Sequence, residues 1–113
     1  MRYEIEVLPR ALEQIRDQAL LYQEEFSTGI NDFLDAIEDT YERISLFPLA
    51  QPTIDNLDDP SIRAASINAR KSRRNYAHDF PFNLIYKVYQ EEGKVVVYQL
   101  WSQRSNRRIE PLE

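Results

Sequence analysis

The sequence contains no cysteine, which excludes disulfide staples, thiolate catalysis and cysteine-ligated zinc. A single histidine, His78, rules out His-rich metal sites and any mechanism that needs two imidazoles. Two glycines, Gly29 and Gly93, are too few for a P-loop or a dinucleotide fingerprint. No apolar run comes near the roughly 18 residues of a membrane span, and Met1 to Arg10 carries no signal-peptide core. These absences lead to the expectation of a cytoplasmic chain that uses no cofactor, no metal and no membrane.

What is present is enough for a real core. The 113 residues are 42% hydrophobic and 12% aromatic, far richer than a disordered tail or a low-complexity linker. With no internal repeat and no linker, residues 1–113 are expected to form a single domain. The formal net charge of −5 conceals a division: residues 1–62 carry −10 and residues 63–113 carry +5. A negative total argues against a nucleic-acid partner, whereas the basic second half leaves room for one.

Tyr3 to Val7 alternates apolar and acidic residues, the period-2 pattern of a strand with one wet face. Pro9 suits the first turn of a helix, where its missing N–H has no partner to lose. From Pro9 to about Glu25, Leu12, Ile15, Ala19, Tyr22 and Phe26 recur at helical spacing. Ser27-Thr28-Gly29 breaks this helix, and Ser27 or Thr28 is a candidate cap for the next. The second helix carries Ile30, Phe33, Leu34, Ile37, Tyr41 and Ile44, and must end near Phe47 because Pro48 cannot continue it. So short a turn predicts an antiparallel helical hairpin.

Pro48 to about Pro60, with its prolines and aspartates, reads as a loop. Ile67 to Tyr76, Phe80 to Tyr89 and Lys94 to Trp101 read as strands, the last two joined by a hairpin at Glu91-Glu92-Gly93. The order β-α-α-β-β-β predicts an α+β domain, with the helical hairpin packed on one face of an antiparallel-rich, four-stranded sheet.

The chemistry is expected where the basic charge is. Arg70, Lys71, Arg73 and Arg74 lie in one short stretch, and Arg104, Arg107 and Arg108 follow the last strand. In a meander the third strand lies between the second and fourth, so these residues can converge on the sheet face that the helices leave open. Such a surface binds phosphates, and arginines stabilise charge that develops during phosphoryl transfer. Tyr76, Tyr86, Tyr89, Tyr98 and Trp101 offer stacking surfaces for bases. The plainer reading is a solvated basic edge that discourages strand pairing. His78-Asp79 has the composition of a general base and its partner, although sequence neighbours in a turn rarely face each other. Asp35 and Asp39, at i and i+4, supply too few oxygens for a cation and read as a solvated helix face.

The sequence resembles the RelE/ParE family of small bacterial toxins from type II, plasmid-stabilising toxin–antitoxin systems. The resemblance covers almost the whole chain. It rests on the element order and on three stretches: Glu6-Val7-Leu8-Pro9-Arg10-Ala11 opening the first helix, Phe80-Pro81-Phe82-Asn83-Leu84-Ile85-Tyr86-Lys87-Val88 entering the central strand, and Val95 to Asn106 closing the sheet. Trp101 stands where many relatives have His, Asn106 where they have Pro, and Asn83 where mRNA-cleaving members often have arginine; Arg104 is kept.

The resemblance implies a growth-inhibiting toxin that forms a hetero-oligomer with its cognate antitoxin, and it implies two activities. ParE-like members inhibit DNA gyrase by binding, and the missing arginine favours that reading. RelE-like members cut mRNA on the ribosome without a metal. Here Arg104 with Lys71 or Arg73 would hold the phosphate, and Tyr86 or Tyr76 would move a proton. A third reading is a nontoxic relative kept for antitoxin binding. Arg70, Arg74, Tyr76 and Arg107 are the expected nucleic-acid or target contacts. An antitoxin tail is expected to lie as an amphipathic segment along the helix pair or across the basic sheet face; an acidic tail would cover the basic residues, with Phe82, Tyr98 and Trp101 as apolar anchors.

Overall fold

In the computed structural model the described residues are 2–25, 29–54, 58–69 and 78–103, with side chains described for 2–23, 31–54, 58–67 and 80–103. The elements follow the expected order: β1 (Glu4–Val7), α1 (Pro9–Glu25), α2 (Gly29–Leu46), β2 (Ile62–Ala69), β3 (His78–Tyr89) and β4 (Lys94–Ser102). A 3-10 turn at Pro48–Ala50 follows α2, and another at Gln90–Glu92 makes the β3–β4 hairpin. The proposed cap residues Ser27 and Thr28 fall outside the described residues. Gly93 closes the hairpin at φ 62°, a left-handed conformation that costs glycine little.

The sheet order is β1-β4-β3-β2. The β2–β3 and β3–β4 pairs are antiparallel, giving the expected meander, and β1 joins β4 in parallel. Both helices cover one face. From them Ala11, Ile15 and Ala19 of α1 and Phe33, Ala36, Ile37 and Ile44 of α2 are buried against Ala65, Ile67, Phe80, Leu84, Tyr86, Val88, Val95 and Val97 of the sheet. The ring of Phe33 lies 5.1 Å from that of Tyr22 and 5.4 Å from that of Phe80, centroid to centroid, at the middle of this core.

Strand β2 corrects the sequence reading. The expected strand ran from Ile67 to Tyr76, but β2 already begins at Ile62 and is described as far as Ala69; residues 70–76 of the expected strand lie outside the described residues. Apolar residues go to both faces, Ile62 and Ala64 to one and Ala65 and Ile67 to the other, with Arg63 and Ser66 between them, so no clean wet–dry alternation marks the strand. His78, expected in a turn, opens β3 opposite Ala69. Pro81 lies within β3, where it lacks a ladder donor, and the β2–β3 register is broken between Ser66↔Asn83 and Asn68↔Asp79.

Two local devices set the phase of the remaining strands. The β3–β4 register shifts between Ile85↔Gln99 and Tyr86↔Val97, so Tyr98 is an extra residue on β4. This bulge puts Tyr98 and Gln99 on the same face and returns Leu100 to the core side. β4 also outruns β1, whose last partner is Val97. Beyond that point the Leu100 N–H is taken by Oε1 of Gln14 on α1, at 2.9 Å.

Among the described residues, 48–54 and 58–60 form a strap around the β2 edge. It starts in the helix layer, where the Tyr86 hydroxyl donates to Pro48 O at 2.5 Å. It then lies against the outside of β2, where Thr53 bridges Arg63 and Ala64 N–H donates to Pro52 O. It continues onto the opposite face, where Ile54 packs on Ile62 and Ile85. Arg63 ties the strap down by donating to the carbonyls of Leu49, Gln51 and Pro60 at 3.0, 2.9 and 2.7 Å.

Candidate functional site

The helix-free face of the sheet is built from the positions that alternate with the core. On β3 these are Asn83, Ile85, Lys87 and Tyr89; on β4, Lys94, Val96, Gln99 and Trp101 together with the bulged Tyr98; on β1, Glu4 and Glu6. Its centre is apolar and partly closed, with Ile62 and Ile85 buried beneath Ile54, Ala64 and Trp101.

Around that centre the charges are matched. Lys87 Nζ lies 3.3 Å from Asp59 and 5.3 Å from the centroid of the Tyr89 ring. The Tyr89 hydroxyl meets the Tyr98 hydroxyl at 3.0 Å. Lys94 Nζ lies 2.5 Å from Glu6, across the parallel β1–β4 pair. Hydrogen bonds from the Ser61 hydroxyl and amide hold the Asp59 carboxyl below its ordinary pKa, with Lys87 adding a smaller effect. The hydrogen bond to Glu6 raises that of Lys94. At the far end, Gln103 Nε2 donates to Asn83 Oδ1 at 2.9 Å, beside Trp101.

The described part of this face is thus close to charge-balanced. Its lysines, Lys87 and Lys94, are each paired with a carboxylate, and Glu4 adds a further negative charge. The basic residues thought to make the surface positive, Arg70, Lys71, Arg73, Arg74, Arg104, Arg107 and Arg108, lie outside the described residues, as does Tyr76.

Tyr86 is a correction. It was expected to move a proton on the open face, but it lies on the helix side and is fully buried. Burial pushes its phenol well above the ordinary value, with nearby Arg63 and Arg43 opposing the shift. Its proton is committed to Pro48 O. Tyr86→Phe should therefore cost about 1–2 kcal/mol, by removing the bond and leaving a buried carbonyl without its donor. Any growth inhibition by the protein should be unchanged; chemical denaturation and an expression assay measure the two effects separately.

The proposed apolar anchors do not share a surface. Tyr98 and Trp101 are on the helix-free face, whereas Phe82 lies on the helix side with its ring 6.3 Å from Phe33. One extended segment cannot bind all three without crossing the sheet.

The Asp59–Lys87–Tyr89–Tyr98 chain was not foreseen as a unit. The odd-numbered alternation along β3 was a visible signal for Lys87 and Tyr89. The approach of Asp59 depends on the path of the strap, for which the sequence has no periodicity.

Burial raises Tyr98 to about 12, helped by its bond to Tyr89, and burial alone raises Tyr41 to about 12. Below the ordinary value of 10.0 these phenols are protonated in both folded and unfolded chains. Above it the unfolded chain ionises first. The stability from these phenols is thus fully present below pH 10 and is lost as pH rises towards 12. Denaturant midpoints measured across this interval should fall, and Tyr98→Phe should fall less steeply than the parent.

Among the described residues, no group of three or more His, Asp or Glu side chains is placed to hold a metal ion. No described helix is long and apolar enough to cross a membrane. In comparisons with known proteins, no family model and no curated protein matches the chain.

Proposed function

We propose that this chain is the toxin of a type II toxin–antitoxin pair, acting in the cytoplasm by binding DNA gyrase without chemistry of its own. The fold is compatible with the resemblance drawn from the sequence: a helical hairpin on one face of a sheet in which β1 lies parallel to β4. The observation that carries the choice of binding over catalysis is Tyr86. Of the two tyrosines considered for proton transfer, Tyr86 is buried on the helix side of the sheet and bonded to a main-chain carbonyl, and Tyr76 lies outside the described residues. The helix-free face instead presents Trp101, Tyr98 and neutralised lysines, a surface suited to contact with another protein.

One observation favours ribosome-dependent mRNA cleavage as the second reading. β2 ends at Ala69 opposite His78, and β4 ends at Ser102 opposite Phe82, so the chain leaves these strands at the same end of the sheet. In the sequence Lys71 and Arg73 follow Ala69 within four residues, and Arg104 follows Ser102 within two.

Expression without an antitoxin should arrest growth; continued growth would leave only a nontoxic, antitoxin-binding relative. Purified protein should inhibit supercoiling by gyrase in vitro. Unchanged supercoiling, together with new cleavage positions in mRNA from arrested cells, would replace the first reading with the second. In that case Arg104→Ala should abolish the cleavage while the melting temperature holds.

A further inference from the structure

We infer that the outer edge of β1 is a docking site for an extended segment of another protein, with Lys or Arg at alternate positions. The inference goes beyond the toxin reading and does not depend on it.

A sheet edge recruits another strand when its outward N–H and C=O groups are unpaired. The two edges of this sheet differ. Along β2, the outward Ala64 N–H is bonded to Pro52, Thr53 bridges Arg63, and Ser66 O accepts from Arg43 Nη2 at 2.9 Å. The strap and α2 have closed it.

On β1, Glu4 N–H and Leu8 N–H point inward, to Gly93 O and Val97 O of the β4 side. Strand parity turns the alternate residues outward. Tyr3 is the first of these, and Ser45 at the end of α2 satisfies it twice: Tyr3 N–H donates to Ser45 O at 2.8 Å and Tyr3 O accepts from the Ser45 hydroxyl at 2.7 Å. Ile5 and Val7 come next, and no described residue bonds to their outward amides and carbonyls.

Side chains select what can pair there. Glu4 and Glu6 are exposed on the helix-free face of β1, with Lys94 already paired to Glu6. A second copy of the chain is disfavoured: an antiparallel β1–β1 pair that joined Ile5 to Val7 of the other copy would set Glu6 directly against Glu6. Like charges in opposed positions destabilise a pair. The same carboxylates favour a segment that places cations beside Glu4 and Glu6. Its intervening residues would be apolar, extending the core past half-buried Ile5 and Val7. Repulsion of acidic strands and of its own copies makes the edge selective.

The test uses the full-length, nitrogen-15-labelled protein and two synthetic probes, acetyl-Lys-Val-Lys-Val-Lys-Val-amide and its Glu-Val counterpart. At saturation the cationic peptide should slow hydrogen exchange at the Ile5 and Val7 amides by about tenfold or more, because both become ladder donors. The acidic peptide should not. Glu4→Lys should weaken the cationic peptide several-fold. Val7→Pro removes an outward donor that no described partner uses, and it should also weaken binding. Proline is tolerated at such edge positions, and the melting temperature of each variant checks that the fold persists. The inference is overturned if neither amide is protected, if the acidic peptide protects them equally, or if the protein alone dimerises through β1.

Discussion

Phe33→Ala should cost about 3–5 kcal/mol, the range for removing a buried aromatic ring from a core that cannot fully collapse. Phe33 has no exposed surface, and it is the ring that Tyr22, Phe80 and Phe82 all meet, at centroid distances of 5.1, 5.4 and 6.3 Å. Those partners come from α1 and from both sides of Pro81 in β3, so truncation loosens a helix and a strand together. For a domain of this size the melting temperature should fall by more than about 15 °C. Leu34 is the control. It is the next residue on α2 and is 40% exposed, so Leu34→Ala should change stability by no more than about 1 kcal/mol. Equal effects of the two substitutions in urea denaturation would show that the described core is wrong.

The second large effect is expected at Arg63. Its guanidinium holds three carbonyls of the strap, those of Leu49, Gln51 and Pro60. Arg63→Met keeps the length of the stem and removes every donor. Charge-assisted bonds contribute about 1.5–3 kcal/mol each when well sheltered. Here water can replace part of each, and a total of about 2–3 kcal/mol is expected. The location of the change is more diagnostic than its size. Ile54 should lift from Ile62 and Ile85, leaving Trp101 wetter. Trp101 is the only tryptophan, so its emission should shift to the red before global unfolding. Proteolysis should then begin within residues 48–60. A variant with native emission and native protease resistance would mean that the strap is held elsewhere.

The elements that were legible in the sequence are those with one wet and one dry face. Ile15, Ala19, Phe33, Ile37 and Ile44 advertise their helices because charged residues fill the opposite sides. β1 was legible because Glu4 and Glu6 alternate with Ile5 and Val7. β2 was not, because Ile62 faces the strap while Ala65 and Ile67 face the helices. The neighbouring basic run looked more like a strand with a purpose. The site was less legible than the fold. Whether Tyr86 or Lys87 faces the helices is a question of parity, and one residue of error exchanges them. The contact between Asp59 and Lys87 spans the strap, and nothing local to either residue encodes it.

The extra residue at Tyr98 has a consequence for engineering this protein by deletion. Removing one residue from a regular strand inverts every side chain that follows, and in a small domain that is ruinous. In β4 the inversion has already been absorbed once, since Val97 and Leu100 both face the core across an interval of three positions. Excising Gln99 would leave Val97, Tyr98 and Leu100 in plain alternation. Leu100 would stay opposite the helices and Trp101 away from them. A shortened chain lacking only Gln99 should fold, with a flatter hairpin, whereas one lacking only Val96 should not.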